Sequence, residues 1–172
     1  PSFYSSLTVL PAGDVKALHE ALEPRDVAAV ILEPTGAHWG THPLDPSYLH
    51  EARRITEETG ALFIMDEVIT GFRMAPGGAQ ERYGVTPDLS THAKIVAGGF
   101  PGGCVVGRAD VMDFIELREN DAEWNDRRRI SHQGTFNANP VSAAAGLEAL
   151  RLINKGGECE RCLLYTSDAA DE

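Results

Sequence analysis

The sequence predicts an α/β fold with a mostly parallel sheet flanked by helices. Three observations carry that expectation. Continuous apolar runs of strand length stand at Val27-Ala28-Ala29-Val30-Ile31-Leu32 and Ala61-Leu62-Phe63-Ile64-Met65, as in parallel strands buried on both faces. Between them Leu49, Ala52 and Ile55 recur at helical spacing, which makes a strand–helix–strand crossover unit. Each run closes on an acid, Glu33 and Asp66, at the carboxyl edge where such sheets receive ligands.

The elements follow in order. Asp14 is the N-cap of a short helix whose Val15, Leu18 and Leu22 share a face, and Pro24 ends it. The first strand leads through Glu33-Pro34 into a loop with Gly36, His38, Trp39 and Gly40. Asp45-Pro46 supplies the N-cap and first position of the second helix, and Gly60 its C-terminal glycine. Residues 70 to 90 are rich in Gly and Pro and read as loop. A short apolar run spans Gly103–Gly107, and Asp110 is expected to cap a helix containing Val111, Met112, Phe114 and Ile115. Residues 118–129 are polar and read as an exposed excursion. Pro140 opens a last helix in which Ala143, Ala144, Ala145 and Gly146 permit close packing and Leu147, Leu150 and Ile153 form the apolar face.

The 172 residues suffice for one domain with a real core. Fifteen Lys and Arg against 26 Asp and Glu give a net charge of −11, which argues against a nucleic-acid binder with its basic stripe. No apolar run has the length of a membrane span. The opening residues carry no signal-like core, and the chain starts at Pro1 without Met, so it is expected to begin inside a longer protein. Cys104, Cys159 and Cys162 are too few and too uneven for a disulfide framework, which favours a reducing, cytoplasmic setting. The Cys159-x-x-Cys162 spacing has no second pair and no nearby histidine, so no metal site is assigned.

The expected domain covers residues 1–154. Residues 155–172 are set apart as a non-native or disordered tail, because from roughly residue 159 the chain resembles a translated sequencing-adapter read-through.

The chemistry centres on Lys94, in Ser90-Thr91-His92-Ala93-Lys94-Ile95-Val96-Ala97-Gly98-Gly99. A lysine beside glycines, downstream of a strand-end carboxylate, has the parts a pyridoxal phosphate site needs. Taken singly, Lys94 is equally a surface lysine and Asp66 an aspartate that caps the next turn. The apolar neighbours Ile95, Val96 and Ala97 favour a buried turn.

Several motifs together carry a resemblance. Ala29–Pro34, Asp66-Glu67-Val68-Ile69-Thr70-Gly71-Phe72-Arg73, Lys94 in its glycine-rich setting, and Gly134-Thr135-Phe136-Asn137-Ala138-Asn139-Pro140 resemble class III aminotransferases. Phe72-Arg73, Gly77–Gln80 and Tyr83–Leu89 are similar in particular to the glutamate-1-semialdehyde 2,1-aminomutase group. The resemblance spans about residues 7 to 154. It implies an incomplete large domain of a fold type I pyridoxal phosphate-dependent transferase, a central fragment of a longer enzyme. The active site would lie at a homodimer interface. The substrate would be a small amino acid or amino-aldehyde.

By the same resemblance, Asp66 would pair with the cofactor's ring nitrogen and Val68 would pack on the ring face. Lys94 would form the Schiff base, and Thr135 would reach the phosphate from the neighbouring subunit. His38 departs from the family's asparagine; it reads either as a donor to the cofactor's phenolic oxygen or as a loop histidine. Glu33 reads as an organiser of the site or as a structural strand-end acid. The implied activity is amino-group transfer, with two alternatives: an aminomutase that makes 5-aminolevulinate, and an inert fragment or dimerisation domain.

Overall fold

The computed structural model describes residues 6–36 and 42–168. His38 therefore lies outside the described residues. Four strands form one sheet in the order β1 (Ala29–Leu32), β2 (Leu62–Asp66), β3 (Leu89–His92), β4 (Cys104–Gly107). The first three run parallel, and β4 returns antiparallel to β3.

Helix α1 (Val15–Leu22) starts at Asp14, whose carboxylate accepts from Ala17 N at 2.9 Å. Helix α2 (Pro46–Thr59) starts at Asp45, which accepts from Ser47 N at 2.8 Å, and ends at Gly60 in the left-handed region with φ 84°. Asp45 is exposed, and the Ser47 N–H holds its carboxyl below the usual carboxylate range. Leu18 and Leu22 of α1 meet Leu49, Ala52 and Ile55 of α2, which lie over Phe63 and Met65 of β2. Each large side chain in this core contributes about 1.5–3 kcal/mol by leaving water.

The expectation of fully buried strands fails for β1. It is the outer strand of the sheet, and Ile31 is 59% exposed. No described strand pairs with its far edge. The loop expected at 70 to 90 also holds regular structure. Helix α3 (Gly78–Tyr83) and strand β3 lie there. A Leu-Ser-Thr-His strand carries no apolar run, and its inward residues Ser90 and His92 bury their polarity by bonding each other at 2.9 Å.

Asp110 does not cap the following helix. Arg108 is the N-cap of α4 (Ala109–Met112), and Asp110 sits in the first turn, paired with the Arg108 guanidinium at 2.6 Å. A tight 3-10 turn continues through Asp113–Ile115. Within the polar excursion, Trp124 is buried. It stacks on Phe114 with centroids 5.4 Å apart, lies under the Arg118 guanidinium, and donates its indole N–H to Glu116 O. Helix α5 (Pro140–Asn154) is followed by one more helix, α6 (Glu158–Asp168), in the segment read as tail.

Candidate active site

The site grows from the carboxyl ends of β2 and β3. Alternation along β2 and its extension sends Phe63, Met65 and Glu67 to the packed side, while Asp66 is half-buried. The β2–β3 register sets Asp66 opposite Thr91. Asp66 Oδ1 accepts the backbone N–H of Val68 at 3.0 Å and the hydroxyl of Thr91 at 3.1 Å. The two sequence readings of Asp66 are thus compatible. Oδ1 closes the next turn, and Oδ2 accepts no hydrogen bond from any described residue.

Lys94 follows Thr91 by three positions and opens a short 3-10 turn, Lys94–Ala97. Its backbone has φ 52°, the left-handed region that a non-glycine residue seldom adopts. The expectation of a buried turn is corrected here: Lys94 is exposed. Burial falls instead on Ala97, because α5 packs against the far part of the turn. Lys94 makes no ion pair with any described residue.

Two glycines permit that packing. A Cβ on Gly146 would stand 2.4 Å from Val96 O, and one on Gly98, at φ 60°, would stand 2.5 Å from Ala145 O. The small-residue run of α5 therefore supports the lysine turn by direct backbone approach. Ser142 adds a hydrogen bond to Pro101 O at 2.7 Å. Asn139 caps α5 by accepting from Val141 N and Ser142 N. Thr135 is exposed in the turn just before this cap and bonds neither Asp66 nor Lys94. Val68 is half-buried beside Asp66, and Glu33 is half-buried past the end of β1. Within the described residues, then, Asp66, Val68 and Lys94 share one edge of the sheet, while Thr135 stands apart.

Sequence reasoning passed over three residues that build this edge. Glu67 is fully buried and makes no ion pair with any described residue. Its carboxylate accepts from Thr70 Oγ1 at 3.1 Å, from Ala79 N, and from Gln80 N and Nε2 at 3.3 and 3.0 Å. Gly78, at φ 76°, is needed there because a Cβ would stand 2.2 Å from Glu67 Oε2. An acid adjacent to Asp66, followed by the Gly77-Gly78 pair, was the available signal.

Asp88 is the second. Its carboxylate is buried and accepts from Phe63 N at 2.8 Å, Arg53 Nη1 at 2.7 Å and Arg108 Nη1 at 2.9 Å. Burial pushes its pKa up, but the Phe63 N–H and the two guanidiniums outweigh this and hold it below the usual carboxylate range. Thr91, described above, is the third.

His92 is buried under the same edge. Its ring centroid is 5.3 Å from that of Phe72, and Nδ1 has no hydrogen-bond partner among the described residues. Burial lowers its pKa, against the opposing pull of Glu67 and Asp66. A cleft of about 420 Å³ is lined by Phe72, Gly77, Gln80, Glu81, Thr86 and His92; neither Asp66, Thr91 nor Lys94 lines it.

An α/β sheet with an aspartate and a lysine at the ends of adjacent parallel strands defines a class of candidate cofactor enzymes. Comparison with known proteins narrows it. Residues 9–165 match the model of the class-III aminotransferase family, and the chain belongs to that family. It is 48% identical over 158 residues to glutamate-1-semialdehyde 2,1-aminomutase of Methanothrix thermoacetophila, covering 91% of this chain and 34% of the relative. Among solved structures it is similar to an omega-transaminase from Sphaerobacter thermophilus, with a TM-score of 0.73 and 42% identity, covering 86% of this chain and 32% of that one. A transaminase with PLP bound also aligns, with a TM-score of 0.73 and 30% identity over 85% of this chain and 33% of that one. The chain spans about a third of the length of the curated relatives it matches. No described helix is long and apolar enough to cross a membrane.

Proposed function

We propose that the protein carrying this chain transfers amino groups with pyridoxal phosphate, using Lys94 as the cofactor-linked amine. The carrying observation is the β2–β3 edge. Among the described residues, Asp66 has one oxygen held by two donors and one that accepts none, and the Lys94 amine, in no ion pair there, lies three residues past Thr91, the strand partner of Asp66. A carboxylate oxygen lacking a donor suits a protonated ring nitrogen, and an amine outside any ion pair suits an aldehyde.

When bound, the cofactor supplies an electron sink beside the substrate's amino-bearing carbon. The residues of this chain supply the rest. Asp66 keeps the ring nitrogen protonated through a charge-assisted hydrogen bond. Val68 packs against the ring. Lys94 would anchor the cofactor and would move a proton at the substrate Cα. Thr135 reaches the phosphate of a second copy's site, which makes the enzyme a homodimer. We place the enzyme in the cytoplasm.

A second reading is supported by the 48% identity to an aminomutase. There the amino group returns to the same molecule. Product analysis on the full-length protein separates the two. Conversion of glutamate-1-semialdehyde to 5-aminolevulinate without an added amino acceptor supports the aminomutase; amino transfer only when an acceptor is supplied supports the aminotransferase. Neither reaction, across amino-acid and amino-aldehyde substrates, overturns both readings.

A further inference from the structure

Thr91 does more than continue a strand. Its carbonyl accepts from Glu67 N at 2.9 Å, and its hydroxyl donates to Asp66 Oδ1 at 3.1 Å. The residue therefore grips both members of the Asp66-Glu67 pair, one through the backbone and one through the side chain. Threonine is suited to this because its branched Cβ leaves few χ1 states, so the hydroxyl is held in place before any ligand arrives. The Val68 N–H meets the same oxygen at 3.0 Å from the chain that follows β2. A carboxylate held by one donor can pivot about that contact. Two donors from different elements stop the pivot, and exchanging the two oxygens would break both bonds.

We infer that Thr91 is a positioning residue, whose hydroxyl locks the Asp66 carboxylate so that Oδ2 stays available to the cofactor's cationic ring nitrogen. This rests on the function proposed above. Thr91 touches no reacting atom in this scheme and acts only through Asp66.

The test is a pyridoxal phosphate titration of the full-length apoprotein, with the melting midpoint of each apo variant as control. Thr91→Val removes the hydroxyl at constant shape and is expected to weaken cofactor binding on the order of tenfold, the scale of one hydrogen bond to a charged group. Thr91→Ser keeps the hydroxyl and is expected to bind within about twofold of the native protein. In an Asp66→Asn background, Thr91→Val is expected to add less than about twofold, because the group it positions has lost its charge. Native-like binding by Thr91→Val, alongside weakened binding by Asp66→Asn, overturns the role of Thr91 and leaves the proposed function standing. Native-like binding by Asp66→Asn overturns that function and the inference with it. If Thr91→Val lowers the apo midpoint, Ser and Ala at position 91 are compared below both midpoints. Serine alone being native-like supports the role, and equal binding by both overturns it.

Discussion

Gly146 of α5 lies against the carbonyl of Val96, so close that a Cβ would stand 2.4 Å from the oxygen. This approach ties the 15-residue helix α5 to the turn that begins at Lys94. A backbone oxygen cannot swing aside as a side chain can. Gly146→Ala is therefore expected to push α5 off the turn and cost about 1–3 kcal/mol, the usual penalty of overpacking. Urea denaturation of the variant checks it, and an unchanged midpoint contradicts the contact.

Asp88 joins α2, β2 and the residue after β4 through Arg53, Phe63 N and Arg108. Asp88→Ala leaves the Phe63 N–H without its acceptor and two guanidiniums without a carboxylate. The expected loss is about 2–3 kcal/mol. It falls below that of a fully buried pair because both arginines reach solvent.

The same residue sets an acid limb. The folded-state pKa of Asp88 is depressed, so its contribution is complete above the unfolded value of about 3.9 and is lost as pH falls through the lower folded value. Melting midpoints taken from pH 5 downward should fall, and Asp88→Asn should flatten that slope.

His92 acts at milder pH. Burial depresses its pKa, so the unfolded chain binds the proton more tightly. Its contribution is full above the unfolded value of about 6.5 and declines as pH falls below it. Melting midpoints of the native chain should drop between pH 6.5 and 5, and His92→Gln should reduce the drop. An equal drop in the variant assigns the effect to another group.

Much of the frame was legible because local rules and tertiary packing agree. Asp14 and Asp45 cap helices, Gly60 ends one, and Leu18, Leu22, Leu49, Ala52 and Ile55 enter the core as their spacing implies. Strand β3 was hidden because its stability comes from pairing on both sides and from the Ser90–His92 bond, not from apolar residues. Glu67 and Asp88 were hidden for a related reason. A buried carboxylate is recognisable only by its donors, which come from residues 3 to 35 positions away. The exposure of Lys94 follows from where α5 docks, which its own neighbours do not encode.

The central claim is that Lys94, one of this chain's three lysines with Lys16 and Lys155, is the cofactor-linked amine. The full-length protein is incubated with pyridoxal phosphate, reduced with borohydride, digested, and mapped by mass spectrometry. The expected result is one stoichiometric adduct, on the peptide containing Lys94, and its disappearance in Lys94→Ala. An unlabelled Lys94, or labelling undiminished by Lys94→Ala, contradicts the claim.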